Sequence, residues 1–544
     1  MRRDFFAFIL SLALLVSTGF GQVVRISPIE RKIAAGITAD QMSSYLHFVA
    51  SDAMEGRDTP SRGLDTTAEF LKMNLSRWGF KPAGDNGTFF QKIEISSESV
   101  DPVNNLLQID GRTFNLNSDF FRMAGHDGSA NALMVFAGHG WVVKSKNIDA
   151  YEGVDVNGKV IVLLGQGFPN RNTITNMPAG VTQTDLTGAK GNDWADPVTY
   201  AVAHGAAGII LIGSQQFHAG WGQMRGFFSR GSMYPTKLRD NVPDETSKLP
   251  VAVVSNSVAD TIFAGAAAGK DSPTPFAIDK TISMTTMSRR DVKWTQNVVA
   301  LWEGRDPVLK KEMVAVGAHY DHVGMNPNAP GEDKIWNGAD DDGSGTVAVL
   351  SIAEALAKSK LRPRRSILFV WHAGEEKGLW GSAYFNKFPT VDIKKVVAQL
   401  NIDMIGRSKK PGDTNPRNKE LTGANEIYVI GSEMMSSTLG SVVKKTNDGF
   451  LKLTYDYRYD DPADTNRFFF RSDHFHYAMS GIPIVFWFDG VHEDYHGPGD
   501  SPDKIDYAKM ERVARTIFLT MWKVSDLAVR PKIDKQLPPE LTKR

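Results

Sequence analysis

The sequence predicts an α/β protein with a mixed, mostly parallel sheet covered by helices on both faces, interrupted by a β-rich insertion. Three observations predict it. After residue 290, continuous apolar strands alternate with helix-patterned segments, the texture of a parallel sheet buried on both sides. Between 101 and 290 the texture changes to short β runs with many glycines. The length, 544 residues, exceeds one ordinary domain.

The elements follow in chain order. Arg2 and Arg3 precede the apolar run 5–16 and a small-residue stretch ending at Gly21, the layout of a signal peptide (1–21) cleaved after Gly21. A membrane span would need about 18 apolar residues, and no segment reaches that. The mature protein is expected to be exported, periplasmic or extracellular, without stable membrane insertion. Residues 30–100 form the N-terminal part of the main domain. Helices fall within 39–82, with Asp40 as a cap, and a strand follows at 89–95. Residues 101–290 form the insertion. The main part runs over 291–528, with apolar strands at 313–318, 367–371, 396–402, 427–430 and 482–488. Its principal helices are expected at 346–358 and 506–524. The Lys- and Pro-rich tail, 529–544, reads as a mobile end.

Composition narrows the function. Lys plus Arg and Asp plus Glu are 62 each, so no global field recruits nucleic acid. There is no cysteine, which excludes disulfides, thiolate metal sites and cysteine nucleophiles. Any metal must be held by His, Asp and Glu. Oligomeric state leaves no mark.

Ligand-type residues cluster where the strands end. The first strand leads into His319-Tyr-Asp321-His322, the second into His372-Ala-Gly-Glu375-Glu376, the third into Asn401-Ile-Asp403 and the last toward Tyr495-His496. A loop ahead of a helix carries Asp340, Asp341 and Asp342 between glycines. In open α/β sheets, sites form outside the carboxyl ends of the strands. Singly, these residues have plain explanations: a helix cap, an exposed glutamate pair, a hydrogen-bonded core histidine. Together, carboxylates converging on one half-buried rim would repel one another by several kcal/mol without a counter-charge. A pair of divalent cations relieves that, and neutral histidines complete a donor set suited to zinc.

The segments HYD (319–321), GADDDGSG (338–345), GEE (374–376), NIDMIG (401–406) and YHGPGDSPDKID (495–506) resemble the co-catalytic two-zinc aminopeptidases of the MH clan. Relatives in that clan include carboxypeptidases, glutaminyl cyclases and a receptor. The insertion, with VNGKVIVLLGQG, AHGAAGIILIG and LPVAVVS, resembles the protease-associated domain. The resemblance implies two Zn2+ per chain. His319 and Asp403 would hold one, Glu376 and His496 the other, and Asp341 would bridge them beside a cis peptide. It implies Asp321 orienting His319, Glu375 as general base and Tyr495 supporting the oxyanion. The implied substrates are peptides with a free N-terminus. A carboxypeptidase, dipeptidase or glutaminyl cyclase on the same fold, or a non-catalytic receptor-like binding protein, are the alternatives. In the last case metal ligands would be lost, whereas here every position is filled.

One stretch competes with this reading. Residues 492–496, HEDYH, match the zincin pattern, in which two histidines on one helical turn bind a single zinc. Gly490 before it and Gly497-Pro498-Gly499 after it argue against a helix. His496 is therefore expected as a ligand with partners elsewhere, and His492 as a rim residue without metal. The two glutamates are expected in an extended segment, where neighbouring side chains diverge. The aromatic runs 468–470 and 486–488 are candidates for a side-chain pocket or for core. The segment Ser472-Asp473-His474 is left without a role.

Overall fold

The computed structural model describes residues 24–165, 174–229, 231–239 and 248–542. The signal-peptide expectation falls outside them. The chain divides into two compact units, one formed by 1–92 with 295–544 and one by 93–294.

The first unit is built on a mixed sheet. Its elements are α1 (Ala39–Val49), α2 (Arg62–Arg77), β1 (Ser288–Trp302), β2 (Met313–His319), α3 (Gly345–Ser359), β3 (Ser366–His372), β4 (Val396–Ile402), β5 (Glu426–Ile430), β6 (Thr454–Asp456), β7 (Ile484–Phe488) and α4 (Tyr507–Asp526). They lie side by side in the order β1-β3-β2-β4-β7-β5-β6. The four central strands β3, β2, β4 and β7 are parallel, and β1 and β5 run antiparallel to them. Every residue of these four strands is buried, which explains their largely apolar sequences. From β2 the chain crosses to β3 on one side and then to β4 on the other. The crevice between the ends of β2 and β4 is therefore a topological switch point.

Alternation along the strands feeds two cores. Val314, Val316, Ile367, Phe369, Leu400 and Trp487 face α1 to α4 on one side. Ala315, Leu368, Val370, Ile484, Phe486 and Phe488 face the aromatic cluster of Phe468–Phe470, Phe475 and Tyr477 on the other. Helix α3 is apolar all round and buried from Gly345 to Leu356, which makes it a central rather than a surface helix. Two local expectations change. Thr38, not Asp40, caps α1 by accepting the Gln41 N–H at 3.3 Å. The C-terminal tail is packed rather than mobile: Leu541 is buried in the second core, and Asp534 accepts the Ser437 N–H at 2.9 Å.

The second unit centres on an eight-stranded sheet. Its middle strands Gly128–Phe136, Val160–Leu164, Gly208–Ile212 and Val251–Val254 are parallel neighbours, with apolar side chains on both faces. Among the described residues, no helix is long and apolar enough to cross a membrane.

Candidate metal centre

The parallel strands deliver their C-terminal residues to one edge, where His319 ends β2 and Asp403 follows β4 at the switch point. His319 Nε2 lies 3.6 Å from Asp403 Oδ1 and 3.3 Å from Asp341 Oδ1. A second group surrounds the other Asp341 oxygen. His496 Nε2 stands 3.1 Å from both Asp341 Oδ2 and Glu376 Oε2. His322 Nδ1 stands 3.0 Å from Glu376 Oε1 and 3.7 Å from Asp341 Oδ2. His319, Asp341 and Asp403 thus form one cluster, and His322, Asp341, Glu376 and His496 another, with Asp341 common to both.

Three adjacent aspartates precede α3, and hydrogen bonding decides which of them faces the clusters. Asp340 Oδ1 accepts the Gly406 N–H at 2.7 Å. Asp342 Oδ1 accepts the N–H groups of Gly345 and Met404 at 2.9 and 3.1 Å, acting as a cap on α3. Asp500 accepts the N–H groups of Asp340 and Asp341 and so fixes the main chain beneath them. Asp341 alone is left to face the histidines of the two clusters. The Asp341–Asp342 peptide is cis.

These residues fit a cation. Asp341 Oδ2, Glu376 Oε1, His496 Nε2 and both ring nitrogens of His322 are buried and find no hydrogen-bond partner within the protein. Each such orphan costs roughly 1–3 kcal/mol, and a divalent ion satisfies several at once. Nitrogen and carboxylate donors are the zinc set available without cysteine. Protons partly take the place of such charge. Burial works against charge on His496, yet the Asp341 and Glu376 carboxylates outweigh it and push the pKa up to about 10. Burial would raise Asp341, but His319, His496 and His322 hold it well below the ordinary carboxylate range. Metal and protons therefore compete for one set of atoms.

Around the clusters the structure departs from expectation in three places. Glu375 and Glu376 are not in extended chain: the Glu375 carbonyl accepts the N–H groups of Gly378 and Leu379, both at 2.8 Å, which makes a turn. Their side chains diverge nonetheless, Glu376 toward His322 and His496 and Glu375 into the adjoining cleft. Asp321 meets His319 chiefly through its main chain, with His319 Nδ1 3.1 Å from the carbonyl and 3.6 Å from the carboxylate. The carboxylate instead accepts the N–H groups of Glu375 and Glu376 at 3.1 and 3.4 Å. The stretch HEDYH is a pair of tight turns, with the Tyr495 N–H on the His492 carbonyl and the Gly497 N–H on that of Asp494. His492 is no rim residue: it is buried with its Nε2 3.4 Å from Asp340 Oδ2, away from both clusters.

Residues 297–521 match the family model described as Peptidase family M28. This segment is thus similar to that family. A probable leucine aminopeptidase of Arthroderma otae is 31% identical over 236 residues, covering 41% of this chain and 57% of that protein. The chain thus spans little more than half the length of that relative. Leucine aminopeptidase 2 of the same fungus is 24% identical over 417 residues, 71% of this chain and 75% of that protein. Among solved structures, an aminopeptidase from Aneurinibacillus sp. strain AM-1 is similar over 94% of this chain and 100% of that one, at 16% identity and a TM-score of 0.48.

A cleft opens beside the clusters, lined by Asp341, Glu375 and Asp403 and by Phe468, Phe486 and Phe488. Strand alternation sends Phe486 and Phe488 to the cleft and Trp487 to the opposite core. Tyr495 lines the same cleft, stacks on His496 with 4.0 Å between ring centres, and receives a hydrogen bond from Arg471 at 3.4 Å. Ser472, Asp473 and His474 lie buried behind the cleft, Ser472 Oγ accepting from Asn401 at 2.8 Å.

Two residues without an expected role shape the site. Arg57 is fully buried and donates to the carbonyls of Tyr320, Val49, Asn337 and Gly338, at 2.7–2.9 Å. It joins the HYDH segment to the loop that carries Asp341. Gly338, at φ +56°, packs on the His322 ring, where a Cβ would come within 2.4 Å of Cγ. His322 was visible as a strand-end histidine three residues after His319. Nothing in the sequence singled out Arg57, whose partners are distant carbonyls.

Proposed function

We propose that the protein is an exported zinc-dependent exopeptidase, an aminopeptidase that removes N-terminal residues from peptides. The observation that carries this reading is the pair of clusters sharing Asp341, beside an aromatic-walled cleft that Glu375 lines. Two zinc ions would be held, one by His319, Asp341 and Asp403, the other by Asp341, Glu376 and His496. When bound, they supply Lewis acidity and a water activated near neutral pH.

The chain's own residues carry the rest. Burial, together with Glu376, Asp403 and Asp473, pushes the Glu375 carboxyl well above its ordinary range, against the pull of His319. Cations would act in the same direction as His319 and draw it back toward neutrality, where a general base works best. Glu375 would take the proton of the attacking water and pass it to the leaving amine. Burial, Asp341 and Glu376 raise the Tyr495 hydroxyl far above its usual value, so it stays protonated and can donate to the developing oxyanion. The acidic residues of the cleft suit a free α-amine and the aromatic ones an apolar side chain. We read the 93–294 unit as the protease-associated-like module, on the three parallel strands that carry its sequence motifs.

Assaying aminoacyl anilides against N-acetylated peptides, with elemental analysis of the same preparation, tests this. Hydrolysis confined to free N-termini with about two zincs per chain is expected. Preference for N-blocked substrates would move the assignment to a carboxypeptidase. Inactivity with metal absent would favour the receptor-like reading.

A further inference from the structure

We infer that His322 is a fourth protein ligand of the Glu376–His496 ion, so that the two metal positions are unequal, one with four protein ligands and one with three. The inference rests on the two-ion reading above and adds a residue and a difference in affinity to it. His322 Nδ1 lies 3.0 Å from Glu376 Oε1, yet without the alignment of a hydrogen bond, since neither atom has a partner. Left unsatisfied and this close to Asp341 and His496 as well, the two atoms can share one cation. Ligand atoms, one each from His322, Asp341, Glu376 and His496, lie within 4.8 Å of one another, close enough to converge on a single four-coordinate zinc.

The ring is also held for the purpose. The main-chain N–H of His322 donates to the Arg57 carbonyl at 3.1 Å. Gly338 presses on one side of the ring, and the His496 ring meets it edge to face at 5.6 Å. The side chain is fully buried, so no water can satisfy its nitrogens from outside. The other cluster offers only His319, Asp341 and Asp403. Four protein ligands make the more complete zinc shell. The ion beside His322 is then the more tightly held, and the ion beside Asp403 the more readily exchanged.

The test is metal binding, not turnover. Chelator-stripped full-length protein is titrated with Co2+, following visible absorption and competition with a chromophoric chelator. Wild type should fill a tight position with intense four-coordinate absorption and then a weaker one. His322→Ala should lose at least about tenfold in affinity at the tight position, with weaker and less intense absorption there, and leave the second position unchanged. His322→Asn carries the test if the alanine variant does not fold. Its amide can still hold the Glu376 carboxylate but is a poor ligand, so it should behave like His322→Ala. Wild-type affinity at both positions in His322→Asn would overturn the inference while leaving the two-ion reading intact. A wild type that binds a single Co2+ would overturn both.

Discussion

Asp321 Oδ1 accepts the main-chain N–H of Glu375 at 3.1 Å. Its second oxygen accepts the N–H of Glu376 at 3.4 Å, so one buried carboxylate sets the turn that separates the two glutamates. Asp321→Asn keeps the shape but offers one acceptor and one donor where two acceptors are needed. We expect kcat or zinc affinity to fall about 10–100-fold, as for other partners that orient a metal site. Wild-type kcat and zinc content in this variant would show that the turn holds without it.

The divergence of those glutamates gives opposite phenotypes. Glu375→Gln should retain metal and bind peptide, yet lose about 10²–10⁴-fold in turnover. Glu376→Gln should lose zinc affinity, and excess zinc should partly restore its activity. Zinc analysis by mass spectrometry beside steady-state kinetics distinguishes the two. Reversed phenotypes would reverse the assignment.

The histidines of HEDYH should separate in the same way. His496 faces Asp341 and Glu376, so His496→Ala should lose metal. His492 is buried beside Asp340, so His492→Ala should keep its metal and instead lose stability by about 2–5 kcal/mol, the cost of the cavity left by a large buried side chain. Denaturation midpoints and metal content read both effects. Equal metal loss in the two variants would revive the zincin reading.

His474 provides a pH test of stability. Burial lowers its pKa to about 3, so the folded protein keeps it neutral while the unfolded chain takes up a proton below about 6.5. A depressed folded pKa means that its contribution is complete above about pH 6.5 and is lost as pH falls toward 3. In metal-free protein, His474→Phe should remove about 2 kcal/mol of the stability lost between pH 6.5 and 5. Identical urea midpoints across that range in both proteins would refute the assignment.

How much of this could be read from the chain depends on the kind of information each feature needs. Strands β2, β3, β4 and β7 were legible because full burial on both faces leaves largely apolar runs. The rim followed because parallel strands end at one edge. His319, Asp341, Glu376, Asp403 and His496 follow from that placement and from the family pattern. Breaking residues around HEDYH were enough to deny it a helix.

Local sequence could not say where the neighbours of those residues point. Asp341 faces the clusters because Gly406, Gly345 and Met404 engage Asp340 and Asp342. Glu375 leaves its companion because Asp321 holds their N–H groups in a turn rather than an extended strand. His492 is buried rather than on the rim because Asp340, far away in the chain, receives it. His322 is aimed at Glu376 by Arg57 and Gly338. The sequence by itself determined which chemical groups arrive at the sheet edge, since burial periodicity and strand order are written residue by residue. Only the tertiary structure decided which of two or three adjacent like residues faces the clusters, because that choice belongs mostly to hydrogen-bond partners on other strands and loops, tens of residues away.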